Sequence, residues 1–108
     1  MQSQLEPGET ILHETRANLG RGLAARQGRL TLTDHRLVFE PLQIGSPQQV
    51  IEIPVQEIAS AQRIWLPGPL GRRLVRALEV NRRNGDRLVF MVRRPMRWHK
   101  ELAPHITG

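Results

Sequence analysis

Cysteine and tyrosine are absent from this 108-residue chain, and it holds only two tryptophans, two phenylalanines and one lysine. Without cysteine there is no disulfide framework and no thiolate metal site, which fits a reducing compartment. No apolar stretch approaches the roughly 20 residues that span a bilayer. The opening "MQSQLEPGET" has neither a basic start nor an apolar run, so it does not read as a signal peptide. The expectation is a soluble, cytoplasmic domain whose membrane contact, where it has any, is peripheral. The length suits one domain over residues 1–108, with its core at about 8–103, large enough to fold without staples.

Catalytic patterns are missing too. His13, His35, His99 and His105 show no metal spacing, and Ser3, Ser46 and Ser60 lie in no nucleophile elbow. Gly20, Gly22 and Gly28 make neither a dinucleotide fingerprint nor a phosphate loop. The reading is therefore no enzyme, no cofactor and no metal. Base-stacking platforms are scarce as well, because Phe39, Phe90 and Trp98 fall in phase with core positions. Nucleic acid is accordingly a weak candidate partner, limited to salt-sensitive phosphate contacts.

Positive charge is present in quantity, and it is uneven. The formal net charge is +6, yet residues 1–60 carry five Arg against seven acids. Residues 61–108 carry ten Arg and one Lys against three acids, a balance of +8. A basic second half suits an anionic partner: a membrane surface, a nucleic acid or an acidic protein. A compositional preference for arginine accounts for the same numbers.

Most of the chain alternates like strands. The segments 8–17, 28–33, 36–41, 50–55, 56–66, 76–83 and 86–92 each read as one strand. Leu30 and Leu32 share one face, as do Leu37 and Phe39, Ile51, Ile53 and Val55, Ile58 and Ile64, Leu78 and Val80, and Leu88, Phe90 and Val92. Val89 and Met91 make the last strand apolar on both faces, so it should be covered on both. Pro54 marks an edge or a strand end. Asn84-Gly85 predicts a hairpin with a type I′ turn. Residues 19–28 and 43–49 read as loops.

The period changes near the end. Pro95 suits a first helical position, and Trp98, Leu102 and Ile106 stand four apart on one helical face. Pro104 limits the helix to about two turns with a kinked tail. Seven short strands and one terminal helix predict a mainly β fold. Its form is a closed or nearly closed antiparallel barrel or sandwich, with the helix plugging one end.

The segments "GETIL", "GRLTLTDHRLVFEP", "EIPVQEIASAQ" and "NGDRLVFMV", followed by a tryptophan in a final helix, resemble the GRAM domain of the pleckstrin-homology-like superfamily. The hairpin at residues 28–39 is the most specific part of the match. The resemblance implies a seven-stranded barrel capped by a C-terminal α-helix. It also implies a non-enzymatic module that binds lipid or protein. Pleckstrin-homology domains that grip phosphoinositide headgroups usually carry a lysine near the first strand and loop. This chain has Arg16, Arg21, Arg26 and Arg29 there instead.

One stretch stands out: "WLPGPLGRRL", residues 65–74. As a membrane foot, Trp65, Leu66 and Leu70 dip into the interface while Arg72, Arg73 and Arg76 touch anionic headgroups. As a protein or self-assembly contact, the same tip supplies Trp and Arg, the residue types that carry interface energy. As a purely structural hairpin, Trp65 packs back onto Leu70 or the barrel wall. Arg16, Arg21 and Arg26 form a second anion-binding candidate. Peripheral membrane binding is the favoured function, with protein contact and weak nucleic-acid binding as alternatives.

Overall fold

The computed structural model describes residues 4–20, 26–42, 50–67 and 74–106. Seven antiparallel strands form one sheet: β1 (Ile11–Leu19), β2 (Arg26–Thr33), β3 (Arg36–Pro41), β4 (Ile51–Pro54), β5 (Ile58–Pro67), β6 (Leu74–Arg82) and β7 (Arg87–Met91). Helix α1 (Pro95–Leu102) follows, then a 3-10 turn at Ala103–His105 that absorbs Pro104. The spatial order is β4-β3-β2-β1-β7-β6-β5. The chain thus makes two meanders, β1–β4 and β5–β7. Their end strands β4 and β5 are consecutive, joined by a 3-10 turn at Val55–Glu57. Among the described residues the meanders meet at a narrow seam: β1 pairs with β7 through Asn18↔Met91 and Leu19↔Phe90, and Gly20 N–H bonds the Val89 carbonyl at 2.9 Å.

Alternation explains the core. Leu30, Leu32, Leu37, Phe39, Ile53, Ile58, Leu78, Val80 and Phe90 are buried, and the Phe39 and Phe90 rings lie 5.7 Å apart. Trp98 and Leu102 complete this core from α1, with Ile106 packed against it. Pro95 opens the helix, and Pro54 ends an edge strand. Val89 and Met91 are each partly buried, so both faces of β7 have cover.

Several local expectations shift. β1 starts at Ile11 because Glu6–Glu9 forms a turn, closed by Glu9 N–H to the Glu6 carbonyl at 3.0 Å, with Gly8 at φ +80°. Within the loop expected at 19–28, β1 extends to Leu19 and β2 already begins at Arg26; residues 21–25 and the 43–49 loop lie outside the described residues. The Asn84-Gly85 hairpin has three loop residues rather than two. Arg82 N–H bonds the Asp86 carbonyl at 2.8 Å, Gly85 N–H bonds the Arg82 carbonyl at 3.0 Å, and Gly85 supplies the positive φ at +98°.

The most consequential shift is a β-bulge between Ile58 and Ser60. An extra residue reverses which side chains face the core. Ile58 and Ala61 then share the core with Leu78 and Val80, Ala61 standing opposite Val80, while Ile64 moves to the other side. The odd-numbered Arg63 and Trp65 inherit the face that carries α1.

Polar networks occupy the opposite face. The Arg36 guanidinium forks onto Glu9 at 2.8 and 3.1 Å and reaches Glu52 at 2.8 Å, and Thr33 donates to Glu9 at 2.6 Å. On β6, Glu79 accepts from Gln62 and Asn81 at 2.9 Å each and pairs with Arg87 at 2.6 Å.

Candidate binding face

Trp65 and Arg76 stand directly opposite each other on β5 and β6, so their side chains share a face. Trp65 is 50% exposed. The guanidinium carbons of Arg76 and Arg63 lie 5.2 and 5.6 Å from its ring centroid. Both distances suit cation–π attraction, which orients the two cations around the indole. Trp65 is therefore held in place by charge and open to solvent, rather than packed into the wall.

The first turn of α1 faces this indole. Val92, Arg93, Arg94, Pro95, Met96 and Arg97 line a groove of about 600 Å³ together with Trp65 and Arg76. Met96 is 49% exposed. The turn is built against its own electrostatics: no acid lies in it, and Arg94 is its N-cap with no side-chain capping bond. Cations at a helix N-terminus oppose the macrodipole, which favours anions there. The Arg97 and Trp98 amides both bond the Arg94 carbonyl, at 3.0 and 3.2 Å, and so fix where Arg94 sits.

A second groove, of about 690 Å³, lies on the other side of that turn between β1 and α1. It is lined by His13, Thr15, Arg16, Arg93, Arg94 and Arg97. It exists because β1 separates from β7 upstream of Asn18. His13 and Thr15 alternate onto the core side of β1, opposite Leu32 and Leu30. Thr15 Oγ1 accepts the Trp98 indole N–H at 3.1 Å, and the His13 ring centroid lies 4.5 Å from that of Trp98. His13 Nε2 is buried with no hydrogen-bond partner. Burial pushes the imidazole below its ordinary pKa; nearby Arg97 adds to this, and Glu101 acts in the opposite sense.

Ion pairing separates structural arginines from available ones. Arg29, Arg36, Arg82, Arg87 and Arg97 each pair with an acid. Arg16, Arg26, Arg63, Arg76, Arg93 and Arg94 have no acidic partner among the described residues. All but Arg26 lie around Trp65 or the first turn of α1. Part of the positive second half of the sequence, Arg63, Arg76, Arg93 and Arg94, thus gathers around Trp65 and the first turn of α1.

Of the primary candidates, Trp65, Leu66 and Arg76 are described, on the strands expected at 56–66 and 76–83; Leu70, Arg72 and Arg73 lie outside the described residues. Of the secondary set, Arg16 joins the second groove, Arg26 stands apart at the start of β2, and Arg21 lies outside the described residues. Arg93, Arg94, Met96 and Arg97 were not singled out by sequence reasoning. The signal was there: Arg-Arg-Pro-Met-Arg leads into a helix with no acid in its first turn. Of the four Trp and Phe rings, only Trp65 is exposed, so there is no series of platforms for stacked bases. Among the described residues, no helix is long and apolar enough to cross a membrane.

Solved structures of similar shape support the same fold. The C-terminal domain of an unknown protein from Leishmania infantum is 21% identical with a TM-score of 0.70, covering 92% of this chain and 85% of that one. The Vps36 N-terminal PH domain is 16% identical with a TM-score of 0.64, covering 94% of this chain and 84% of that one. Among curated proteins there is no match. GRAM and PH-like domains are commonly binding modules for membranes or proteins. The GRAM domain family model matches residues 1–92, and with the seven-stranded PH-like sheet and terminal helix in place, the chain belongs to the GRAM domain family.

Proposed function

We propose that this GRAM domain attaches peripherally to anionic membrane through the face centred on Trp65. The observation that carries the reading is the half-exposed indole between Arg63 and Arg76, beside an equally exposed Met96 and the arginines of the first α1 turn. Trp65 and Met96 supply apolar contact at headgroup depth. Arg63, Arg76, Arg93 and Arg94 supply charge that no described acid neutralises.

Each arginine near an anionic surface contributes about 1 kcal/mol, so four give roughly 4 kcal/mol. Half-burying Trp65 and Met96 adds about 2 kcal/mol. A total of about 6 kcal/mol means weak, reversible attachment, strengthened when several copies act together.

Vesicle sedimentation at low salt tests this. Vesicles containing phosphatidylserine should retain the protein and neutral phosphatidylcholine vesicles should not. Trp65→Ala and Arg76→Ser should each reduce retention several-fold, and added salt should release the protein. Equal retention on both vesicle types would overturn the reading.

A further inference from the structure

We infer that the groove between β1 and the first turn of α1 is a separate binding site for a compact oxyanion. Its chemical class is a phosphate or sulfate monoester, held by Arg16, Arg93, Arg94 and Arg97, and His13 takes up a proton when the site fills. Arg93, Arg94 and Arg97 wall both grooves, but Arg16 and His13 belong to this groove and not to the one at Trp65, so variants at those two positions distinguish this site from membrane attachment.

Four arginine residues border one cavity of about 690 Å³, within the range of small-ligand sites: Arg93, Arg94 and Arg97 at the first turn of α1, and Arg16 on the β1 edge. Guanidinium is planar and presents paired donors that match the oxygens of a tetrahedral oxyanion. Of the four, only Arg97 has an acidic partner among the described residues, Glu101 at 3.0 Å. Gathering cations around a cavity is unfavourable when the cavity holds only water, and an anion reverses the sign of that interaction.

His13 adds a proton to the balance. Its ring lines the groove, and its Nε2 is buried and unpartnered. The charged groups around it are Arg97 and Glu101 on α1, together with Arg16, Arg93 and Arg94 at the groove, while β2 places the apolar Leu32 opposite. In the empty groove, burial and Arg97 keep the ring neutral. An anion that offsets the arginines lowers the cost of charging the imidazole. Binding and protonation therefore favour each other, and affinity rises as pH falls.

Calorimetric titration with inositol hexakissulfate tests this, because the charge of that probe is constant between about pH 5 and 8, so a change of affinity over that range reports a protein group. The expected result is saturable binding at one site, at least three-fold tighter at pH 5.5 than at pH 7.5. Arg16→Ser should weaken it about ten-fold, whereas Trp65→Ala and Arg26→Ser should stay within two-fold. His13→Gln should retain binding at pH 7.5 and lose the pH difference. Arg16 is exposed, so Arg16→Ser tests the site even where His13→Gln unfolds the protein. Absence of saturable binding, or equal losses in Arg16→Ser and Arg26→Ser, would overturn the site. A pH difference that survives in folded His13→Gln would overturn the role of His13. Vesicles of phosphatidic acid and of phosphatidylserine at matched surface charge identify the source. Preference for phosphatidic acid, lost in Arg16→Ser, marks a lipid headgroup; soluble-probe binding without that preference marks a free anion.

Discussion

The indole N–H of Trp98 donates to Thr15 Oγ1 at 3.1 Å, joining α1 to β1 across 83 residues of sequence. The ring is fully buried and belongs to the common core. This contact sets the position of the first α1 turn, and so of the arginines that wall both grooves. Trp98→Ala should cost about 3–5 kcal/mol in urea unfolding. Trp98→Phe, which keeps most of the apolar volume but leaves Thr15 without its donor, should cost about 1–2 kcal/mol.

Trp98→Phe also isolates the other indole. The emission of Trp65 in that variant should be that of a partly hydrated ring, and anionic vesicles should shift it to shorter wavelength. An emission maximum that stays fixed while the protein sediments with the vesicles would remove Trp65 from the contact.

Glu9 predicts an acid limit to stability. Its hydrogen bond to Arg36 is the main cause that lowers its pKa from 4.5 to about 2, against desolvation and with help from Thr33. A carboxyl depressed in the folded state adds stability above its unfolded pKa and loses it as pH falls through the folded value. Stability should therefore decline from about pH 4.5 towards about pH 2. Arg36→Ala, which strands the buried carboxylate, should cost about 3 kcal/mol at neutral pH. In that variant the part of the decline that comes from Glu9 should shrink or disappear, because the folded carboxyl is no longer held below its unfolded value. A pH–stability curve unchanged by Arg36→Ala would contradict the assignment.

Gly28 sits where β2 crosses the Phe39 ring. A Cβ there would lie 2.5 Å from Phe39 Cζ and 2.6 Å from the Glu40 carbonyl oxygen. Backbone cannot yield as a flexible side chain does. Gly28→Ala should destabilise by about 1–3 kcal/mol, read as a lower urea midpoint with an unchanged slope.

How far these features were legible varies with the range of the interaction that creates them. The Leu30–Leu32 and Leu37–Phe39 alternation and the placement of Pro95 ahead of Trp98 are local signals, and all predict the element found. The bulge after Ile58 is not: nothing in "EIASAQ" announces an extra residue, yet it decides that Trp65 rather than Ile64 faces α1. The grooves were least legible. Arg16 and Arg93 are 77 positions apart and meet only because β1 pairs with β7 and then diverges. Arg36 and Arg87 look no different in sequence from Arg76. Only the fold shows which arginines are already engaged by acids and which face solvent.

The two-pair seam between β1 and β7 has a mechanical consequence. With so few ladder bonds there, α1 is the strap across the halves, resting on β1 at one side and on β5 and β6 at the other. An anion that draws the first turn of α1 towards β1 therefore tightens the strap. Amide hydrogen exchange near Asn18 and Phe90 should slow when the β1 groove is filled, making the joint a remote gauge of occupancy.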